Sequence, residues 1–302
     1  EALFQGPARG GWGAAAQLSA PVQCLCRPFP GREVPGQRLF CRRRAHSGQP
    51  PGRGRAGRLL RAAAGGEGVA PQSGIPVNVV YEDAFALVLE KPPRLAVHPT
   101  LNYPLGTLAN GYAAWAAQRG NSPVFRPVNR IDKDTSGLVL AAQNGYAAPL
   151  LAGRVEKALL RRRGGGASPR PGVIDAPIGR QGGSIIGRCV TPDGKPSRTE
   201  YTILKAENGL SLAACVPVTG RTHQIRVHFA SIGHPLAGDD LYGGSRARIG
   251  RQALHCARQT FRVPRCETLE DGICIEAPVD ETTLRTVTVE SPLPADMAQF
   301  FR

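Results

Sequence analysis

Two stretches of the chain hold residues that could do chemistry. The first, Val128 to Ala142, reads VNRIDKDTSGLVLAA and sets the carboxylate of Asp132 between Arg130 and Lys133, with a second acid at Asp134. A Thr135-Ser136-Gly137 turn then leads into the apolar run Leu138 to Ala142, so a loop presents an acid in a basic setting and a buried strand anchors it. The second stretch, Gly220 to Gly244, reads GRTHQIRVHFASIGHPLAGDDLYGG. Arg221 and Arg226 fall at the start of a helix whose apolar side is taken by Ile225, Phe229 and Ile232, which leaves at least one guanidinium to meet an acid elsewhere. Such a pairing suits attack on a glycosidic bond. A carboxylate nucleophile must stay ionised in a partly dry pocket, and an adjacent guanidinium offsets the desolvation that would raise its pKa. Two other readings stay open from these residues alone. One is a structural buried ion pair. The other is glycoside hydrolysis by Asp132 with Asp134, although neighbouring acids in one loop need not face each other across a bond.

The elements that must position these loops follow from the apolar pattern. Val77 to Tyr81 and Phe85 to Glu90 read as two strands joined by a tight turn at Glu82-Asp83, and Leu95 to His98 as a further short strand. Thr107 to Gln118 is Ala-rich with Leu108, Tyr112 and Trp115 at helical spacing, aromatics that fit a core better than a base-stacking platform. Tyr146 to Leu160 is expected to be a helix with Leu150, Leu151 and Val155 inward. Strands are expected over Val173 to Gly179, Ser197 to Lys205, Leu210 to Val218, Leu254 to Arg262 and Ile273 to Glu276. Helices are expected over Thr222 to Ile232 and Pro294 to Phe300. Strand content dominates without regular strand–helix alternation, which implies an α+β fold on a mixed or antiparallel β-sheet with flanking helices.

Composition bounds the partners. The 302 residues carry a net charge of +15, an excess that favours a polyanion, although GC-rich coding gives the same Arg, Ala, Gly and Pro enrichment. No apolar run reaches the length of a membrane span and no secretory signal is recognisable, so the expected compartment is the cytoplasm. The 8 cysteines form no CxxC pair and read as free thiols. Residues 1–74 form an Arg/Gly/Pro-rich leader, expected to be largely disordered apart from a short helix near Gly57 to Ala64. Within it, residues 3–7, LFQGP, look like the remnant of an engineered protease site. The catalytic domain is then expected over residues 75–302.

The two stretches resemble the signature blocks of the RluA/RluD family of RNA pseudouridine synthases. The resemblance runs on through YEDAFALVLEKPPRLAVHPT, GVIDAPIGR, GKPSRTEYTIL and ALHCARQTF, several long blocks in the right order. It implies a pseudouridine synthase-like catalytic domain that isomerises uridine to pseudouridine in structured ribosomal or transfer RNA, ribosomal RNA being favoured. It further implies that no metal and no cofactor is used; a monomer is expected. Asp132 matches the catalytic aspartate that attacks a flipped-out nucleotide. Arg130 matches an arginine that enters the RNA stack, and Arg221 the basic residue paired with the catalytic acid; Lys133 and Arg226 are expected at the RNA. His98, His223, His228 and His234 read as packing or hydrogen-bonding residues, since no ligand cluster accompanies them. The leader could also hold a degenerate form of the S4-like RNA-binding module that relatives carry.

Two departures stand out. The family's His before the Arg is Asn129 here. More seriously, the family Tyr that stacks on the target base falls at Leu159, in the run Lys157-Ala158-Leu159-Leu160-Arg161-Arg162-Arg163. A one-base change of frame over residues 158–165 would restore the pattern, which the coding DNA tests. The competing expectation is an RNA-binding relative with lost or reduced catalysis.

Overall fold

The computed structural model describes residues 39–43, 59–60, 69–100, 104–121, 124–151, 154–162, 171–269, 272–277 and 284–301, all within the unit Pro35–Arg302. In chain order the strands are β1 (Leu39–Arg43), β2 (Leu59–Leu60), β3 (Asn78–Glu82), β4 (Ala86–Lys91), β5 (Arg126–Pro127), β6 (Ser136–Ala142), β7 (Arg154–Arg162) and β8 (Pro171–Asp175). They continue with β9 (Ile178–Arg180), β10 (Arg188–Val190), β11 (Arg198–Glu207), β12 (Leu210–Pro217), β13 (Leu254–Pro264), β14 (Cys266–Leu269), β15 (Gly272–Ala277) and β16 (Leu284–Glu290). The helices are α1 (Leu108–Gln118), α2 (Gln224–Ser231) and α3 (Ala295–Ala298).

A ten-stranded sheet runs β3-β4-β6-β13-β7-β12-β11-β8, with β5 on β6 and β16 on β13. Its neighbours are antiparallel except at the centre, where β6 and β13 run parallel with Ser136 opposite His255 and Gly137 opposite Cys256. This is the α+β, mixed-sheet architecture expected. All seven residues of β6 are buried, as a continuous apolar run flanked by strands on both sides should be. Gly137 makes the central contact possible: its φ is +104°, and a Cβ there would lie 2.3 Å from the Cys256 carbonyl oxygen. The core formed by β4, β6 and the inner face of α1 includes Phe85, Leu89, Leu108, Tyr112, Phe125 and Leu140. Helix α1 starts on a capping box in which Thr107 and Asn110 bond each other's backbone N–H. A second core packs Ile225 and Phe229 of α2 against Ile203, Ala213 and Leu254 of the sheet.

Several expectations are corrected. Tyr146 to Leu151 is a set of turns, and Arg154–Arg162 is strand β7, deep in the sheet between β12 and β13. The apolar residues there suit helical spacing, but pairing on both edges decides otherwise. Leu95 to His98 is irregular, with a single bridge from Ala96 to Thr107. Ile232 ends α2 and is exposed. Within the leader, β1 pairs in parallel with β15, and Leu59–Leu60 is a strand where a helix was expected. The last residues of the leader, 69–74, are ordered against α1, the Gln72 N–H donating to the Asn110 carbonyl at 3.0 Å; the remainder of the leader, with its expected disorder, lies outside the described residues.

Candidate active site

Asp132 sits on the loop between β5 and β6, in a turn closed by the Thr135 N–H donating to the Asp132 carbonyl at 3.1 Å. The loop is held by its backbone. Lys91, at the end of β4 and wholly buried, donates from Nζ to the carbonyls of Lys133 (3.0 Å) and Pro92 (2.8 Å). Arg251, just ahead of β13, donates to the carbonyl of Asp134 at 3.3 Å. Asn129 clasps the middle of β6: its Oδ1 accepts from the Leu140 N–H at 2.7 Å and its Nδ2 donates to the Leu138 carbonyl at 3.3 Å. An amide does this with one donor and one acceptor, so the departure at Asn129 has a structural role.

The second stretch delivers the cation. Gln224 organises the start of α2, its Oε1 accepting from Thr219 Oγ1 and the Arg221 N–H, and its Nε2 donating to the Arg198 carbonyl and to Thr199 Oγ1. Two residues on, the Arg226 guanidinium donates to Asp132 Oδ2 at 3.1 Å, and its Nε and second NH₂ grip Asp239 at 2.7 and 2.8 Å. The side chain of Arg226 is 7% exposed and that of Asp239 1%, whereas Asp132 is 29% exposed. Burial alone would lower the Arg226 pKa, but the bonds and charges of Asp239 and Asp132 outweigh it and raise it above the ordinary arginine value. The ring of Tyr242 covers the guanidinium with its centroid 5.0 Å away.

The partner of Asp132 is therefore Arg226 rather than Arg221. Arg221 precedes the helix and is exposed, with Nε donating to the Pro196 carbonyl at 3.3 Å. Arg130 and Lys133 are exposed on either side of Asp132. Leu159 lies in β7 at the register position opposite Ala213 and Leu254, both on the face that carries α2.

Sequence reasoning missed Asp239, Lys91, Arg251 and Tyr242 as parts of this site. Asp239 had a signal, being an acid within the same block as Arg226. Lys91 before two prolines reads as a strand terminus, and nothing local marks it as buried. His223 is a hydrogen-bonding residue at the edge of the site. It is the N-cap of α2 with φ +56°, a left-handed conformation that a non-glycine residue adopts at a cost. Its Nε2 lies 4.0 Å from Asp132 Oδ2, and its Nδ1 is 2.7 Å from the Tyr242 hydroxyl. Burial lowers its pKa, with the nearby Asp132 carboxylate opposing. His228 is structural, bonded through Nδ1 to Thr199 Oγ1 and through Nε2 to the Ala176 carbonyl. Among the described residues no group of His, Cys, Asp and Glu has the arrangement of a metal site.

Asp132 is thus a partly exposed carboxylate on a backbone-pinned turn, backed by a buried guanidinium. Residues 86–231 match the RNA pseudouridylate synthase family. An uncharacterized RNA pseudouridine synthase of Bacillus subtilis, YjbO, is 36% identical over 76% of this chain and 76% of its own length. The chain belongs to the RluA/RluD family of RNA pseudouridine synthases. The ribosomal large subunit pseudouridine synthase D of Nitrosomonas europaea is 36% identical over 74% of this chain and 64% of its own length. Among solved structures, human RNA pseudouridylate synthase domain containing 1 superposes with a TM-score of 0.53 at 26% identity, covering 74% of this chain and 85% of that one. The synthase is accordingly an isomerase. The matched family segment contains Asp132 and Arg226, while Asp239 and Arg251 lie beyond its end.

Proposed function

We propose that this synthase isomerises specific uridines in structured RNA with Asp132 as the nucleophile. In this reading the carboxylate attacks the flipped-out nucleotide, the glycosidic C–N bond breaks, and the uracil turns and rejoins through C5, from which a proton is lost. The observation that carries the reading is the Asp132–Arg226–Asp239 chain. Arg226 is fully engaged by a buried acid on one side, so it can hold Asp132 in one orientation without moving, and the attacking group needs no reorganisation. Ribosomal RNA is the favoured substrate, supported by the names of the relatives, and transfer RNA is the alternative. A monomer acting in the cytoplasm, with exposed Arg130 and Lys133 meeting the RNA, completes the reading; among the described residues no helix is long and apolar enough to cross a membrane.

Release of tritium from RNA labelled at uracil C5 tests the chemistry. The wild type is expected to release it and Asp132→Asn to release none; retention of activity by that variant would remove Asp132 from the role. Mapping pseudouridine in ribosomal and transfer RNA from cells with and without the protein identifies the substrate. A second reading, an RNA-binding relative with lost or reduced catalysis, draws on Leu159 at the family Tyr position. Under it the wild type releases nothing and Leu159→Tyr restores release.

A further inference from the structure

The hairpin of β9 and β10 ends in an apolar tip. Ile185 is 91% exposed and Ile186 58%, in a turn of the kind that polar or glycine residues ordinarily occupy. Such side chains contribute almost nothing to the core. The hairpin beneath them is nevertheless firmly built. At its base Ile178 is buried and exchanges backbone hydrogen bonds with Lys195 at 3.0 and 2.9 Å, and the Thr191 N–H donates to the Pro177 carbonyl. Gly194 lets the following turn close on it, since a Cβ there would lie 2.6 Å from the Ile178 carbonyl carbon. At the tip, Ser184 Oγ accepts from the Gly187 N–H at 2.8 Å, and the Arg188 guanidinium donates to the carbonyls of Ile186 and Gly187. The two isoleucines are therefore presented on a preformed turn.

The hairpin also rises from the edge of the site. The Arg188 N–H donates to the Tyr242 hydroxyl at 3.1 Å, that hydroxyl bonds His223 Nδ1, and His223 Nε2 faces Asp132. Arg180 and Arg188 are register partners across the two strands, which puts two cations on the shaft below the apolar tip. A polyanion with apolar interior surfaces, which is to say a stack of bases on a phosphate backbone, matches both features.

We propose that Ile185 and Ile186 form a wedge that enters the RNA stack beside the target uridine and fills part of the gap left as that nucleotide leaves it. The proposal rests on the RNA-modifying reading above. Unstacking a base step costs a few kcal/mol, and an apolar side chain placed between bases offsets part of that cost. Phosphate contacts from Arg180 would position the finger but do not open the stack.

The test uses the full chain with Ile185→Ser/Ile186→Ser and an RNA stem carrying the mapped target uridine next to 2-aminopurine, whose fluorescence rises on unstacking. Wild type and Asp132→Asn are both expected to raise the fluorescence on binding; the double Ser variant is expected to bind with the same salt dependence but without that rise. In tritium release, its kcat/KM is expected to fall about tenfold on the stacked substrate and less than about twofold when both neighbouring nucleotides are abasic. Ile185→Leu/Ile186→Leu is expected to behave as wild type, which separates lost apolar bulk from a damaged fold. An unchanged fluorescence rise in the Ser variant, or an equal fall in kcat/KM on both substrates, overturns the wedge. Absence of tritium release by the wild type would instead strike the catalytic reading, and the fluorescence arm still decides the wedge.

Discussion

Arg226 is placed so that neither of its carboxylates can be removed without consequence. Asp239 is the buried member, and a buried charge left without its partner costs roughly 3–5 kcal/mol. Asp239→Asn is therefore expected to lower the unfolding midpoint markedly as well as to slow turnover, because the freed guanidinium no longer holds Asp132 in one place. Arg226→Lys keeps the charge but has no fork with which to grip both acids. Its kcat is expected to fall about a hundredfold with KM little changed, the signature of an interaction used in the transition state; a rise in KM alone would point to a binding role. Lys91 gives a prediction in pH. Burial pushes its pKa down to about 7, with Asp134 and Asp132 opposing. The unfolded chain keeps the ordinary lysine value, so between about pH 7 and pH 10 it binds more protons than the folded chain, and the Lys91 contribution to stability rises with pH. Below about pH 7 the penalty for burying the charge is fully present. Urea unfolding of wild type against Lys91→Met across that range is expected to show the wild type gaining ground as pH increases.

At the level of elements, the turn that carries Asp132 depends on parts of the chain far from it. Arg251 donates to the Asp134 carbonyl while gripping Asp296 of α3 at 2.8 and 3.0 Å. The short helix α3 is thus tied to the loop that carries Asp132. Asp296→Ala is expected to reduce kcat several-fold and to lower thermal stability as well, since it leaves the buried Arg251 guanidinium without its carboxylate partner, even though Asp296 is itself partly exposed. Gly137→Ala is a harsher change. It forces a methyl group into the backbone of Cys256 at a positive φ, and a loss of at least about 2 kcal/mol in chemical denaturation is expected. These dependences also mark what the sequence could disclose. The strands β3, β4 and β6 and the helix α1 were legible because their pattern is local. Strand β7 was not, because Leu150, Leu151 and Val155 satisfy helical spacing and only the pairing with β12 and β13, remote in sequence, overrides it. Asp132 stood out by its charged neighbours. The choice of Arg226 over Arg221 could not be read in the same way, since it depends on how Gln224 fixes the turn ahead of α2 and on the buried Asp239 that grips Arg226.

For the molecule as a whole, a net charge of +15 predicts RNA binding that weakens steeply with salt, with a slope set by the number of phosphates neutralised. Residues 1–70 supply 11 Arg against 3 Glu, 11 − 3 = +8 of that excess. Removal of this segment is expected to flatten the dependence of affinity on salt, measured by fluorescence anisotropy with one RNA at several ionic strengths. The parallel contact at the centre of the sheet has a bearing on time. Ser136 Oγ lies 3.0 Å from His255 Nδ1 across a sequence separation of 119 residues, and the turn carrying Asp132 is built on that junction. Closing so long a loop is entropically slow, and non-local pairings of this kind delay folding. After dilution from denaturant, secondary structure should return before the ability to modify RNA. Catalytic competence is therefore expected to follow the slowest refolding phase, so that a nascent chain carries an inert Asp132 until its C-terminal third has emerged.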